Sequence, residues 1–285
     1  METRVRSPQG KEVIIGENLP VVLIGERINP FGKGPIKEAM KSGDFKPIRE
    51  EVLGQIEAGA DLLIISVAAF GIDEETVLPW ITGEIIKTVD IPLCLESRNS
   101  VALEKTLELG CGKPIISSLT GEDTVLERIL PLVKKYKTAV VALASGASGV
   151  PKEPERRAGI IGQITDKARD GGIGPEDILA DCVAESSAAD HRAAITTIET
   201  MEMVKLKWGL NLILGASNVS FGLPNRPVIN AVFLSFAIQR GLTCAIVNAA
   251  QVKAYVMAAD LLLGRDQRAR QYVAYCRKLK NVPPH

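Results

Sequence analysis

The sequence predicts an α/β fold of the closed (β/α)8 (TIM) barrel type, as a single domain over 1–285. Three observations carry this. Short apolar runs recur that are continuous rather than alternating. Longer amphipathic stretches separate them. Roughly eight such pairs fit into the 285 residues, which is the size and period of that barrel. A strand reads as a continuous apolar run when both its faces are buried, as in a parallel sheet under helices. A doubly wound open sheet is the main rival, but no GxGxxG follows the first run. No sequence repeat of fixed period stands out, and no linker divides the chain.

The predicted strands are 21–28 (VVLIGERI), 61–67 (DLLIISV), 91–96 (IPLCLE), 114–119 (PIISSL), 139–144 (AVVALA), 178–184 (ILADCVA), 211–217 (NLILGAS) and 243–248 (TCAIVN). Between the first two, Ile48, Val52 and Ile56 repeat every four residues, with Pro47 near a helix start. Residues 121–136 place Val125, Ile129 and Val133 on one stripe and finish in lysines, which suit a helix C-terminus. Residues 225–240 place Val228, Val232 and Phe236 on one stripe, and 250–280 hold one or two helices. The weakest unit is 145–177. There SGASGVPKEP reads as a mobile loop after the fifth strand, and RDGGIGPED as a helix-to-strand connection.

Composition narrows the function. Lys+Arg and Asp+Glu are both 34, a formal net charge of zero, without the basic excess of a nucleic-acid binder. There are 2 His, one of them the C-terminal residue, so no His-rich metal site is expected. The five Cys form no CxxC pair and suit a reducing cytoplasmic setting, as small core residues. No run of about 18 apolar residues occurs, so no membrane span is expected, and METRVRSPQGKEV has no apolar signal core.

In a (β/α)8 barrel the active site lies at the C-terminal ends of the strands, so polar residues there are informative. They are Glu26, Arg27 and Asn29; Ser66; Glu96 and Asn99; Ser117 and Ser118; Asp181; Ser217 and Asn218; and Asn248. A rim of carboxylates and amides without histidine suits a neutral, flat heterocycle. A carboxylate accepts two parallel N–H bonds from an amidine-like edge, such as a pterin presents. Asp181 inside ILADCVA is the strongest candidate, because a buried carboxylate without a partner is costly. Glu96 after LCL is similar. The alternative for Glu26 and Arg27 is an ion pair at the mouth. The serines have backbone satisfaction as theirs, and His191 a capping or solvated position. Cys182 has no nearby His to activate it and is not expected to be a nucleophile.

GERIN (25–29), LCLESRN (93–99) and LGASNVSFGLPNRPVIN (214–230) resemble the pterin-binding methyltransferases. These include methyltetrahydrofolate:corrinoid protein methyltransferases, the folate module of cobalamin-dependent methionine synthase, and the methyltransferases of O-demethylase and betaine-demethylase systems. The resemblance runs along essentially the whole chain. It implies a dihydropteroate-synthase-like barrel, a homodimer, and a methyl transfer between a corrinoid and N5 of tetrahydrofolate. Tetrahydrofolate or 5-methyltetrahydrofolate is then substrate. DxHxxG, the usual corrinoid-binding signature, is absent, so the corrinoid comes on a separate partner protein, and no metal is bound directly. By position, Asn218 and Asp181 take catalytic roles. Glu26, Asn29, Glu96, Asn99, Ser117, Asp181, Asn218 and Arg226 bind the pterin, and Arg226 and Asn230 shape the pocket wall or the dimer surface. The sequence departs from the family at four places. Glu96 stands for the usual Asp, Ser117 for the usual Asn, and Ile64 and Ser66 in LIIS (63–66) for an Asp and an Asn. Two alternatives follow. One is a dihydropteroate synthase-like enzyme, although no basic SxRxH-like stretch lies in TCAIVNAAQVKAYV. The other is a non-catalytic barrel subunit that docks a corrinoid protein.

Overall fold

In the computed structural model, which describes residues 1–31 and 34–280, eight parallel strands close into a barrel. The chain begins with an antiparallel hairpin, β1 (Glu2–Arg6) and β2 (Glu12–Gly16). It continues through β3 (Val22–Ile28), α1 (Pro35–Ser42), α2 (Phe45–Glu57), β4 (Leu62–Ser66), α3 (Glu74–Thr88), β5 (Leu93–Glu96), α4 (Ser100–Leu107) and β6 (Ile115–Leu119). Then come α5 (Asp123–Tyr136), β7 (Ala139–Leu143), α6 (Pro154–Asp170), β8 (Ile178–Asp181), α7 (Ala193–Trp208) and β9 (Asn211–Gly215). The last elements are α8 (Arg226–Gln239), β10 (Leu242–Val247), α9 (Ala249–Leu262) and α10 (Arg270–Lys280). Strands β3 to β10 run in sequence order round the barrel, and β10 closes on β3. No described helix is long and apolar enough to cross a membrane.

Each predicted strand forms within a few residues of its expected bounds. Side chains alternate across a strand, and the two sets belong to two cores. Val22, Ile24, Leu62, Ile64, Cys94, Ile115, Val141, Leu179, Ile213 and Cys244 fill the barrel interior. Their neighbours, such as Leu23, Leu63, Leu95, Ile116, Val140 and Leu212, pack outward against the helices. The helices begin where short polar side chains cap them: Asp44 accepts from Lys46 N for α2, Asp73 from Glu75 N for α3, and Asn99 from Val101 N and Ala102 N for α4. The stretch that reads weakest, 145–177, contains α6, at 17 residues a full-length barrel helix.

Two findings differ from the expectations. The hairpin β1–β2 was not anticipated, because ETRVR alternates charge with Thr3 and Val5 and carries no apolar run. It stoppers the N-terminal end of the barrel. Val5 and Ile15 join the interior cluster, and buried Asn211 donates through Nδ2 to Thr3 Oγ1 and Ile15 O, both at 3.0 Å. On α8 the helix is where the pattern puts it, but its buried face is not the Val228–Val232–Phe236 stripe. Those three are half exposed, and Phe233, Leu234, Ala237 and Ile238 face the core.

Candidate functional site

The inward rows of β3, β4, β5, β6 and β8 turn polar at their C-terminal ends. Two residues beyond Ile64, Cys94, Ile115 and Leu179, all in the interior cluster, come Ser66, Glu96, Ser117 and Asp181. The register places Glu96 beside Ser66 on one side and Ser117 on the other. Asp181 pairs with Leu143 and Ile213, across the mouth from β5. The apolar floor beneath is what makes these carboxylates unusual. Burial raises the pKa of Glu96, against a hydrogen bond from Ser66 and the charge of Arg98, which lower it. Asp181, 8% exposed, is pushed up to about 6 by burial, with the charge of Glu96 adding to the rise. The backbone N–H groups of Val183 and Gly215 and the charge of Arg157 oppose it. Both carboxylates therefore end inward rows at the mouth, and burial penalises the charge of each.

The loop after β8 is built to serve Asp181. Val183 N–H donates to Asp181 Oδ1 at 2.8 Å. To do so Val183 sits at φ +60°, a left-handed conformation that is an outlier for a β-branched residue and costs about 1–3 kcal/mol. The fully buried Arg157 lies behind this loop. It donates to the carbonyls of Pro151 (2.7 Å), Cys182 (3.1 Å) and Val183 (2.8 Å) and pairs with Glu185. Neither Arg157 nor Val183 is legible as functional in the sequence. Arg157 is one of two adjacent arginines, and its neighbour Arg156 is exposed.

A cleft of about 480 Å³ opens between β3, the turn after β9, and the starts of α8 and α9. Glu26 forms its inner wall, accepting from Ser217 Oγ at 2.7 Å. Burial raises the Glu26 pKa, while Ser217, the charge of Arg226 and the Asn248 N–H lower it. Asn230 and Asn248 also line this cleft, and their Oδ1 atoms are buried without a partner among the described residues. An adjoining cleft of about 410 Å³ runs from Glu26 past Asn29, Pro35 and Lys37 to Glu51. Arg27 lies 3.5 Å from Glu51, so the ion pair at the mouth belongs to Arg27 and not to Glu26.

The remaining candidates fall into place around this frame. Asn218 sits exposed in the short turn Ala216–Ser220, its amide nitrogen against Gly215. Arg226 ties that turn down, donating to Ser220 Oγ at 3.0 Å and Ser217 O at 2.8 Å. Asn29 accepts from Phe31 N at 2.7 Å. Asn99 is engaged in capping α4 and in a 3.3 Å bond to Glu75, away from the carboxylate pair. Ile64 is in the barrel interior. Asn230, which the resemblance puts at the pocket wall or the dimer surface, lines the cleft, and so does Asn248, which the sequence marks only as a polar strand end.

A barrel whose mouth carries carboxylates and amides over an apolar interior is the framework of one group of enzymes. The family described as Pterin binding enzyme matches residues 25–248, and the chain belongs to it. Among curated proteins the chain is similar to the methylcorrinoid:tetrahydrofolate methyltransferase of Eubacterium limosum, 27% identical over 270 residues, covering 92% of this chain and 98% of that protein. It is also similar to the methionine synthase of Mycobacterium leprae, 30% identical over 245 residues, 81% of this chain. There it spans only 20% of that protein's length. Among solved structures, a dihydropteroate synthase of Xanthomonas albilineans superposes with a TM-score of 0.69 over 92% of this chain and 99% of that one, at 14% identity. That likeness shows the fold alone.

Proposed function

We propose that the chain binds a reduced folate at the barrel mouth and transfers a methyl group between its N5 and a corrinoid carried by a separate protein. The observation that carries this is the pair Glu96 and Asp181, two charge-penalised carboxylates facing one polar mouth. A flat ligand edge rich in N–H donors satisfies both and offsets the cost of their burial. The similarity to the Eubacterium limosum methyltransferase over nearly the full length of both chains supports the reaction.

The corrinoid supplies or accepts the methyl group as a cation equivalent. This chain's residues hold and orient the folate. Glu96, with Ser66 beside it, and Asp181 grip the pterin, while Ser117 sits within reach of the same edge. Asn218, exposed at the turn after β9, faces the reacting nitrogen with an amide that can donate or accept. A poor leaving nitrogen needs a proton or a hydrogen bond. Glu26 and Asn29 line the adjoining clefts, and Arg226 fixes the Asn218 turn. The apolar interior beneath the mouth keeps water from below. The homodimer implied by the family resemblance belongs to the same proposal, supported by the exposed row Val228, Val232 and Phe236 on α8.

Calorimetric titration of the full chain with tetrahydrofolate tests the binding, and formation of cob(I)alamin from a methylated corrinoid protein tests the transfer. Asn218→Ala should slow transfer more than tenfold with an unchanged circular dichroism spectrum. Absence of folate binding would leave the docking-subunit alternative in its place.

A further inference from the structure

We infer that Arg157 is a positioning residue for Asp181. Its buried guanidinium holds the backbone of Cys182 and Val183 so that the Val183 N–H is turned onto the ligand-facing carboxylate. The inference rests on the folate reading above and adds a residue that the family resemblance did not supply.

The argument is one of peptide planes. The C=O of Cys182 and the N–H of Val183 belong to one planar trans unit and point in opposite directions. That unit is held at both ends, its oxygen by Arg157 Nη1 at 3.1 Å and its N–H by Asp181 Oδ1 at 2.8 Å. The next carbonyl, of Val183, returns to the same Nη1 at 2.8 Å and also accepts from Thr197 Oγ1 at 2.9 Å. In an extended strand consecutive carbonyls point to opposite sides. Two that converge on one nitrogen require the residue between them to leave the extended region, and Val183 does so at φ +60°. A valine has no preference of its own for that conformation. What holds it is a charged side chain that is 0% exposed, which in turn fastens the end of the β7–α6 loop through Pro151 O at 2.7 Å. Glu185 meets the far side of the guanidinium and has no part in turning the N–H.

Glycine enters the left-handed region as readily as the right-handed one. A glycine at 183 can therefore keep the N–H on Asp181 without the clamp, which gives the inference a signature that loss of packing would not share. Calorimetry with tetrahydrofolate on wild type, Arg157→Lys, Arg157→Lys/Val183→Gly and Glu185→Gln reads it out. Arg157→Lys should bind at least tenfold more weakly, the double variant should return to within threefold of wild type, and Glu185→Gln should stay within threefold. Equal binding by Arg157→Lys, or no recovery in the double variant, overturns the inference. Should Arg157→Lys fail to fold, Thr197→Val removes the second donor to Val183 O and should weaken binding three- to tenfold; no loss overturns it. A wild-type protein that does not bind folate would sink the functional reading instead. Amide exchange of residues 182–187 then decides the clamp. It should speed at least tenfold in Arg157→Lys, or in Thr197→Val if that is the folded variant, and slow again with Val183→Gly; unchanged exchange overturns it.

Discussion

On the proposed reading, Asp181 shows how a ligand-binding residue differs from a stabilising one. Its folded pKa of about 6 lies above the ~3.9 of an unfolded aspartate. The folded state thus binds this proton more tightly. The stability it contributes is complete below about pH 4, falls as the pH rises towards 6, and is gone above that. Two units correspond to about 3 kcal/mol. Asp181→Asn should flatten that decline in a series of denaturant titrations from pH 4 to 7, leaving the variant more stable than wild type at neutral pH while it loses folate affinity. A ligand that donates N–H bonds needs the ionised carboxylate. Tetrahydrofolate binding should therefore tighten about tenfold per unit up to pH 6 and level off above it, as followed by calorimetry. An affinity independent of pH would separate Asp181 from the ligand.

At the scale of the element, α8 carries apolar residues nearly all round, so more than one stripe fits a helical period. The buried face has to be found by substitution. Leu234→Ala should cost about 2–5 kcal/mol. Phe236→Ser should change protomer stability by about 0.5 kcal/mol or less and weaken self-association in sedimentation runs. The same helix shows where sequence reading reaches its limit. The strands and helices of the barrel were legible because both-face burial and helical periodicity leave strong patterns, and Glu96 and Asp181 stood out as charges ending apolar runs. The choice of face on α8 depends on what packs beside it, which periodicity does not carry. Arg157 was hidden for a related reason. Its role comes from carbonyls 25 and 26 residues away, in a conformation of Val183 that no residue type announces. The hairpin was missed because its strands bury only alternate, partly polar side chains.

At the scale of the whole molecule, the barrel divides its labour between its ends. The floor is closed by β1–β2, with Val5 and Ile15 buried and the Asn211 amide nitrogen bonded to the hairpin. Burial at this end contributes stability, while the mouth holds the polar residues. Deleting residues 1–17 removes at least two fully buried aliphatic side chains, worth about 1.5–3 kcal/mol each, and strands Asn211. The melting temperature should fall by on the order of 10 °C, and calorimetry at low temperature should still detect folate binding by the truncated chain. Three phenylalanines, Phe31, Phe70 and Phe221, stand exposed on loops that follow β3, β4 and β9, strands that β10 joins into one arc of the rim.

A barrel stoppered at its base has one doorway. On the proposed reading, vitamin and visiting carrier must share it, so the order of arrival is compulsory. The small molecule is seated first, the carrier then covers it, and nothing departs until the carrier lifts. Turnover would accordingly be paced by how long the two proteins stay together, and an excess of carrier would trap the spent cofactor beneath it.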